Sequence, residues 1–101
     1  MIKKVFTVYD DKSEAYLQPF FLDTVGQAKR AVTDCVNDVN HQFCKHPSDY
    51  TLFELGTYDD SNGEFTKCRK THGNLIEYKT QIELEDANLL IPNLKTVGGT
   101  E

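Results

Sequence analysis

Thr24-Val25-Gly26-Gln27-Ala28-Lys29-Arg30-Ala31-Val32-Thr33-Asp34-Cys35-Val36-Asn37-Asp38-Val39 is the stretch whose reading decides the fold. Its apolar residues Val25, Ala28, Val32, Cys35, Val36 and Val39 recur mostly at steps of three and four. On a helix that spacing gathers them on one face, with Lys29, Arg30, Asp34 and Asn37 between them. Thr24 and Gln27 stand at capping-box spacing, where a hydroxyl and a side-chain amide oxygen accept from free amides of the first turn. The valines and threonine are stiff at χ1 and Gly26 adds backbone entropy, so intrinsic helicity is modest. Such a helix depends on a surface to pack against.

The flanking sequence supplies that surface as strands. Residues 2–9 are rich in β-branched and aromatic side chains and read as a first strand. Asp10-Asp11-Lys12-Ser13 is turn-like. Residues 15–22 read as a second strand, and Pro19, which has no backbone donor, assigns it to an edge or a bulge. Residues 39–49 are polar and read as a loop ending in the tight turn His46-Pro47-Ser48-Asp49-Tyr50. Residues 50–58 and 64–70 form a third and fourth strand joined by Asp59-Asp60-Ser61-Asn62-Gly63, a hairpin signal. Residues 75–78 read as a short extended piece. The order β-β-α-β-β predicts an α+β domain, a small antiparallel sheet with one amphipathic helix packed on one face. The helix is expected to meet Phe6, Val8, Phe53 and Leu55. Residues 1–79 make a single domain, and residues 80–101, with four acids and one lysine, read as a flexible acidic tail. Within the tail Leu84, Leu89, Leu90 and Ile91 form a short sticky segment.

Composition narrows the class. At 101 residues and 39% hydrophobic, the chain is one globular domain, too apolar for a disordered protein and too polar for a membrane one. Apolar runs such as Leu89-Leu90-Ile91 are far short of the roughly 20 residues that span a bilayer. Lys3 and Lys4 precede a few apolar residues, but Asp10 and Asp11 arrive before a secretory core forms. Three cysteines, Cys35, Cys44 and Cys68, cannot all pair within one chain and point to reduced thiols in a cytosol. The net charge of −5 is the opposite of the basic surface by which nonspecific DNA binders usually announce themselves.

No phosphate loop, His-Glu-x-x-His or Gly-x-Ser-x-Gly occurs, so neither an enzyme nor a cofactor is expected. The pairs Asp10-Asp11 and Asp59-Asp60 read as solvated turns, because neighbours on a strand point to opposite faces. His41-x-x-Cys44 and Cys68-x-x-x-His72 have local spacings zinc can use. Cys-x-x-Cys knuckles are missing, and scattered thiols and loop histidines remain the preferred reading over a His41, Cys44, Cys68, His72 site. Lys67, Arg69, Lys70 and His72 form the basic cluster, with Phe65 on the strand face of Lys67 and Arg69 and Lys45 as a further cation. An aromatic beside cations is how single-stranded nucleic acid is held, because every base offers a face to stack on. Engagement of all four cations would give a slope of log affinity against log salt of about −3, at roughly 0.7 per phosphate. His41, Gln42 and His46 sit on the loop, where partner-binding groups collect.

Several stretches, taken in order, carry a family likeness. They are Phe6-Thr7-Val8-Tyr9-Asp10, Lys12-Ser13-Glu14-Ala15-Tyr16-Leu17, Pro19-Phe20-Phe21, Val36-Asn37-Asp38 and His41-Gln42-Phe43. His46-Pro47-Ser48-Asp49-Tyr50-Thr51-Leu52-Phe53-Glu54-Leu55-Gly56 and Asp59-Asp60 complete the series. In this order the chain resembles the small nonstructural protein of gokushoviruses, single-stranded DNA phages of the microvirus family, from residue 6 to residue 65. It departs from that pattern at Gln18, Val39 and Cys44. The resemblance implies a non-enzymatic accessory protein of the host bacterial cytoplasm that assists the switch to single-stranded DNA synthesis and genome packaging. It implies as partner a replication or capsid-assembly protein of phage or host, with single-stranded DNA as the alternative ligand and no membrane.

Overall fold

The computed structural model describes residues 1–79, and the tail read into residues 80–101 lies outside the described residues. Strand β1 (Ile2–Asp10) carries four consecutive buried residues, Val5, Phe6, Thr7 and Val8. Such a run belongs to a strand covered on both faces, whereas a half-solvated strand alternates. In the plane of the sheet β1 is also central. It pairs with β4 (Tyr50–Asp59) on one edge and with the short strands β2 (Ala15–Tyr16) and β3 (Phe20–Leu22) on the other. Strand β5 (Glu64–Asn74) pairs with β4 and forms the opposite edge, and every pairing is antiparallel. The fold is thus α+β with a small antiparallel sheet, as the sequence pattern predicts.

The expected second strand is two strands. Between them the Leu17 N–H donates to the Val8 carbonyl at 2.8 Å and the Thr7 hydroxyl donates to the Leu17 carbonyl at 2.6 Å. Pro19 has no N–H to continue the ladder, so the edge breaks there and resumes at Phe20.

Helix α1 (Val25–Val36) begins with the anticipated capping box. The Gln27 N–H donates to Thr24 Oγ1 at 3.1 Å, and Gln27 Oε1 accepts from the Thr24 N–H at 3.3 Å. Its buried face is Ala28, Val32 and Val36. The helix stops before Val39, which is 72% exposed and not part of the buried face as expected. The Asn37 side chain donates to the Thr33 carbonyl at 2.7 Å and to the Tyr78 carbonyl at 3.2 Å. A side chain that takes the carbonyls of the last turn ends a helix without a glycine.

A second correction concerns β4. Its buried residues are Tyr50, Leu52, Glu54 and Gly56, so Leu52 meets the helix, while Phe53 and Leu55 do not join the core. Register decides this: Leu52 stands opposite Val8 and Phe53 opposite Thr7. The strand is apolar on both faces, so the period of two leaves the choice open. The expected loop of residues 39–49 holds helix α2 (Gln42–Lys45) and a 3-10 turn, Pro47–Asp49. They seat Phe43 in the core, its ring 4.5 Å from that of Tyr50. Strand β5 continues past Lys70 to Asn74, and Leu75–Tyr78 is a 3-10 turn, not extended, because it inserts the fully buried Leu75.

The hairpin between β4 and β5 closes with Gly63 at φ 78° and the Gly63 N–H donating to the Asp59 carbonyl at 2.7 Å. Further back, Val5 opposes Gly56 while Phe6 opposes Glu54, so Leu55 is an extra residue and β4 bulges. A side chain at Gly56 would run into the Thr66 carbonyl oxygen and stand 2.8 Å from Phe65 Cζ.

Three substitutions test this packing. Val32→Asp is expected to unfold the protein, because an unpaired buried carboxylate costs several kcal/mol, about the whole stability of a small domain. Val39→Asp is expected to change stability by less than about 0.5 kcal/mol. Gly56→Ala is expected to cost about 1–3 kcal/mol through overpacking of the β4–β5 contact. Urea unfolding followed by circular dichroism reads all three, and a stable Val32→Asp protein would refute the packing of α1.

Candidate nucleic-acid interface

Residues opposite one another in an antiparallel register share a face of the sheet. Applied from Thr7 and Phe53 outward, the register sends Tyr9, Tyr16, Phe21, Phe53, Tyr58 and Phe65 to the face away from α1. The other five aromatics, Phe6, Phe20, Phe43, Tyr50 and Tyr78, lie in or against the core on the helix side. Among the described residues no helix packs on the first face, which is therefore as rich in rings as the core and open to water. Tyr16, Phe21 and Phe65 are 44%, 51% and 50% exposed. Aromatic surface left uncovered on this scale marks an interaction site more often than chance.

The rings form two groups. Tyr16 lies 4.8 Å from Tyr9 and 5.7 Å, edge-on, from Phe53, centroid to centroid. The Arg69 guanidinium is poised over both neighbours, its central carbon 5.3 Å from the Tyr16 ring and 5.0 Å from the Phe53 ring. Arg69 Nη2 also donates to the Tyr16 hydroxyl. In the second group Phe21 meets Tyr58 edge-on at 5.5 Å, and Phe65 pairs across from Tyr58 with its ring beside Gly56. The missing side chain at Gly56 is what lets the Phe65 ring lie there.

Alternation along β5 sorts the cations. Phe65, Lys67, Arg69 and Thr71 project from the open face, and Thr66, Cys68, Lys70 and His72 from the helix side. Of the residues singled out in the sequence, the structure brings Phe65, Lys67 and Arg69 to one face. Lys70 stands opposite Glu54 on the other, and Lys45 is the exposed last residue of α2. Neither Lys67 nor Arg69 is in an ion pair among the described residues. The sequence reading missed Tyr9, Tyr16, Phe21, Phe53 and Tyr58. Their signal is position: Tyr9 and Phe53 each follow a core residue in a strand, and neighbours in a strand face opposite ways.

The remaining candidates have local structural roles. His41 Nδ1 accepts from the Phe43 N–H at 3.0 Å and caps α2, while Gln42 and His46 are exposed at its two ends. Cys44 Sγ lies 3.3 Å from Lys79 Nζ, and Cys68 is exposed on β5. Among the described residues no three His, Cys, Asp or Glu side chains are arranged to hold a metal, so His41, Cys44, Cys68 and His72 are not brought together. Asp10 accepts from the Lys12 and Ser13 amides and the Ser13 hydroxyl, and Asp59 from the Ser61 amide and hydroxyl. These bonds, chiefly the serine hydroxyls, hold both carboxyls below the ordinary aspartate range.

On the helix side Glu54 is a buried charge, 3% exposed. Its Oε1 lies 2.9 Å from His72 Nε2 and its Oε2 3.4 Å from Lys4 Nζ. Burial pushes the carboxyl up, but the hydrogen bonds from His72 and Lys4, with the charges of Lys4 and Lys70, outweigh it and leave Glu54 below the ordinary glutamate value.

The family described as Phage ORF5 protein matches residues 3–79 of the chain. Comparison with curated proteins and with solved structures finds no match.

Because Glu54 is depressed in the folded state, its contribution to stability is present above the unfolded glutamate pKa of about 4.3 and is lost as the pH falls through the folded value. Glu54→Gln is therefore expected to cost about 1–3 kcal/mol at neutral pH, with the deficit narrowing as the pH drops below about 4. Urea unfolding across a pH series measures it, and a deficit that does not change with pH would show that the charge is not what stabilises the cluster.

Proposed function

The chain belongs to the phage ORF5 protein family, and on that premise we propose that it is a non-enzymatic accessory protein that holds single-stranded DNA on its open sheet face. The stage is the switch to single-stranded genome synthesis and packaging, in the host bacterial cytoplasm. The observation that carries this reading is the Arg69 guanidinium set over the Tyr16 and Phe53 rings, beside exposed Phe21 and Phe65. Exposed rings accept the faces of unpaired bases whatever their sequence, and Arg69 and Lys67 reach phosphate from the same face. A duplex hides its base faces and offers such a surface little. The net charge of −5 weakens attraction to the backbone, which suits a factor that releases DNA to a capsid. Among the described residues no helix is long and apolar enough to cross a membrane.

A second reading has its own support. Among the described residues strand β5 is the sheet edge, paired only with β4, and it is exposed from Glu64 to Thr71. A free edge accepts a strand from another protein, and a replication or capsid-assembly protein of phage or host fits that role. Pull-down from infected cells with and without nuclease separates the two, since a DNA-bridged complex is lost on digestion and a protein-bridged one is kept.

The structure also sharpens the salt dependence. With Lys67 and Arg69 on the open face and Lys45 and Lys70 off it, two cations rather than four engage phosphate. The slope of log affinity against log salt for oligothymidylate is then expected to be about −1.4, at roughly 0.7 per phosphate. Lys67→Glu with Arg69→Glu is expected to abolish binding, Lys45→Glu with Lys70→Glu to leave most of it, and Tyr16→Ala or Phe65→Ala to cost about 1–3 kcal/mol. Fluorescence anisotropy reads these, with circular dichroism to confirm folding. No salt-sensitive binding by the wild type at low ionic strength would exclude the DNA reading and leave the protein partner.

A further inference from the structure

On the helix side, between α1 and the β2–β3 edge, an open groove of about 260 Å³ is walled by Leu17, Phe20, Ala31, Val32, Cys35 and Phe43. Its lining is almost wholly apolar, and it belongs to neither the ring-bearing face nor the β5 edge. A cavity of about 150 Å³ accepts a benzene-sized group, so this one has room for on the order of two branched aliphatic side chains.

We propose that the occupant is the chain's own segment of residues 84–91, with Leu89, Leu90 and Ile91 entering the groove. The described chain leaves the domain at the right place. Lys79 Nζ lies 3.4 Å from the Cys44 carbonyl oxygen, and Cys44 adjoins Phe43, one wall of the groove. Leu84 follows Lys79 by five residues and Leu89 by ten. An extended chain covers roughly 3.3 Å per residue, so Leu84 and Leu89 have a reach of about 16 and 33 Å from Lys79. The chemistry also matches, since Leu89-Leu90-Ile91 is a compact aliphatic cluster and the groove offers no charge for a polar ligand to pair with. Tethering places the segment at an effective concentration of order millimolar, which a free ligand or a second copy would have to exceed.

Cys35 reports on the groove, because its half-buried thiol is one of the walls. In the full 101-residue chain carrying Cys44→Ser and Cys68→Ser, native-state alkylation of Cys35 by iodoacetamide is measured with and without Leu89→Asp and Leu90→Asp. The expected result is alkylation about tenfold faster in the aspartate variant, the protection of a groove filled about nine-tenths of the time. A complementary measurement needs no change in the segment. Ala31→Trp, at an exposed helical position, plugs the groove and is expected to speed chymotrypsin cleavage at Leu89 and Leu90. Equal alkylation rates in the two chains, or cleavage unaffected by Ala31→Trp, would overturn the proposal. Protection that disappears on dilution would assign the groove to a second copy's segment and overturn it as well.

Discussion

Strand β1 must be covered on both faces at once, and the arrangement of the rest of the domain follows from how each face is covered. Phe6 and Val8 point to α1 and meet Ala28, Val32 and Val36 in the core. Val5 and Thr7 point the other way and are just as buried, beneath the rings of the opposite face. Thr7 is the polar exception in that run, and its hydroxyl is satisfied by the Leu17 carbonyl, so its burial carries no unpaired donor. One strand thus holds together a helical layer and an aromatic layer. The aromatic layer covers its own floor and leaves its outer surface to solvent.

The bulge in β4 aligns the two halves of that outer surface. Without the extra residue at Leu55, every side chain beyond it would switch faces relative to β1, because the period of a strand is two. With it, Tyr58 joins Phe21 on the same face as Tyr16 and Phe53. Gly56 serves this geometry twice: it lets the β5 backbone approach, and it leaves room for the Phe65 ring.

Charge is segregated between the same two faces. Glu54, the buried carboxylate, draws Lys4, His72 and the field of Lys70 to the helix side, so those groups are occupied in stabilising the fold. Arg69, on the alternate phase of β5, has the Tyr16 and Phe53 rings as neighbours, and among the described residues neither it nor Lys67 is in an ion pair. An acidic protein can in this way present a locally cationic, ring-lined surface, and net charge says little about what that surface holds.

The α+β class, the capped helix with its Ala28, Val32 and Val36 stripe, the edge position of the strand that carries Pro19 and the hairpin at Gly63 were legible in the sequence. Each rests on a local preference: helical spacing, a hydroxyl at the cap, a missing donor, a positive φ. Phe65, Lys67 and Arg69 were legible as one face for the same reason, since alternation within a single strand needs no knowledge of its neighbours. The end of the helix before Val39 was not, because it depends on Asn37 reaching the Tyr78 carbonyl, a residue remote in sequence. Nor was the choice of Leu52 over Phe53 for the core, because β4 is apolar on both faces and only its register with β1 assigns them. The helical turns at Phe43 and Leu75 form because the core has space for those side chains, not because their sequences demand a turn. The gathering of Tyr9, Tyr16 and Phe53 around Arg69, and the parting of Lys70 from it, were decided by tertiary structure alone, since they depend on how four strands align and alignment is a property of the pairings, not of any one strand.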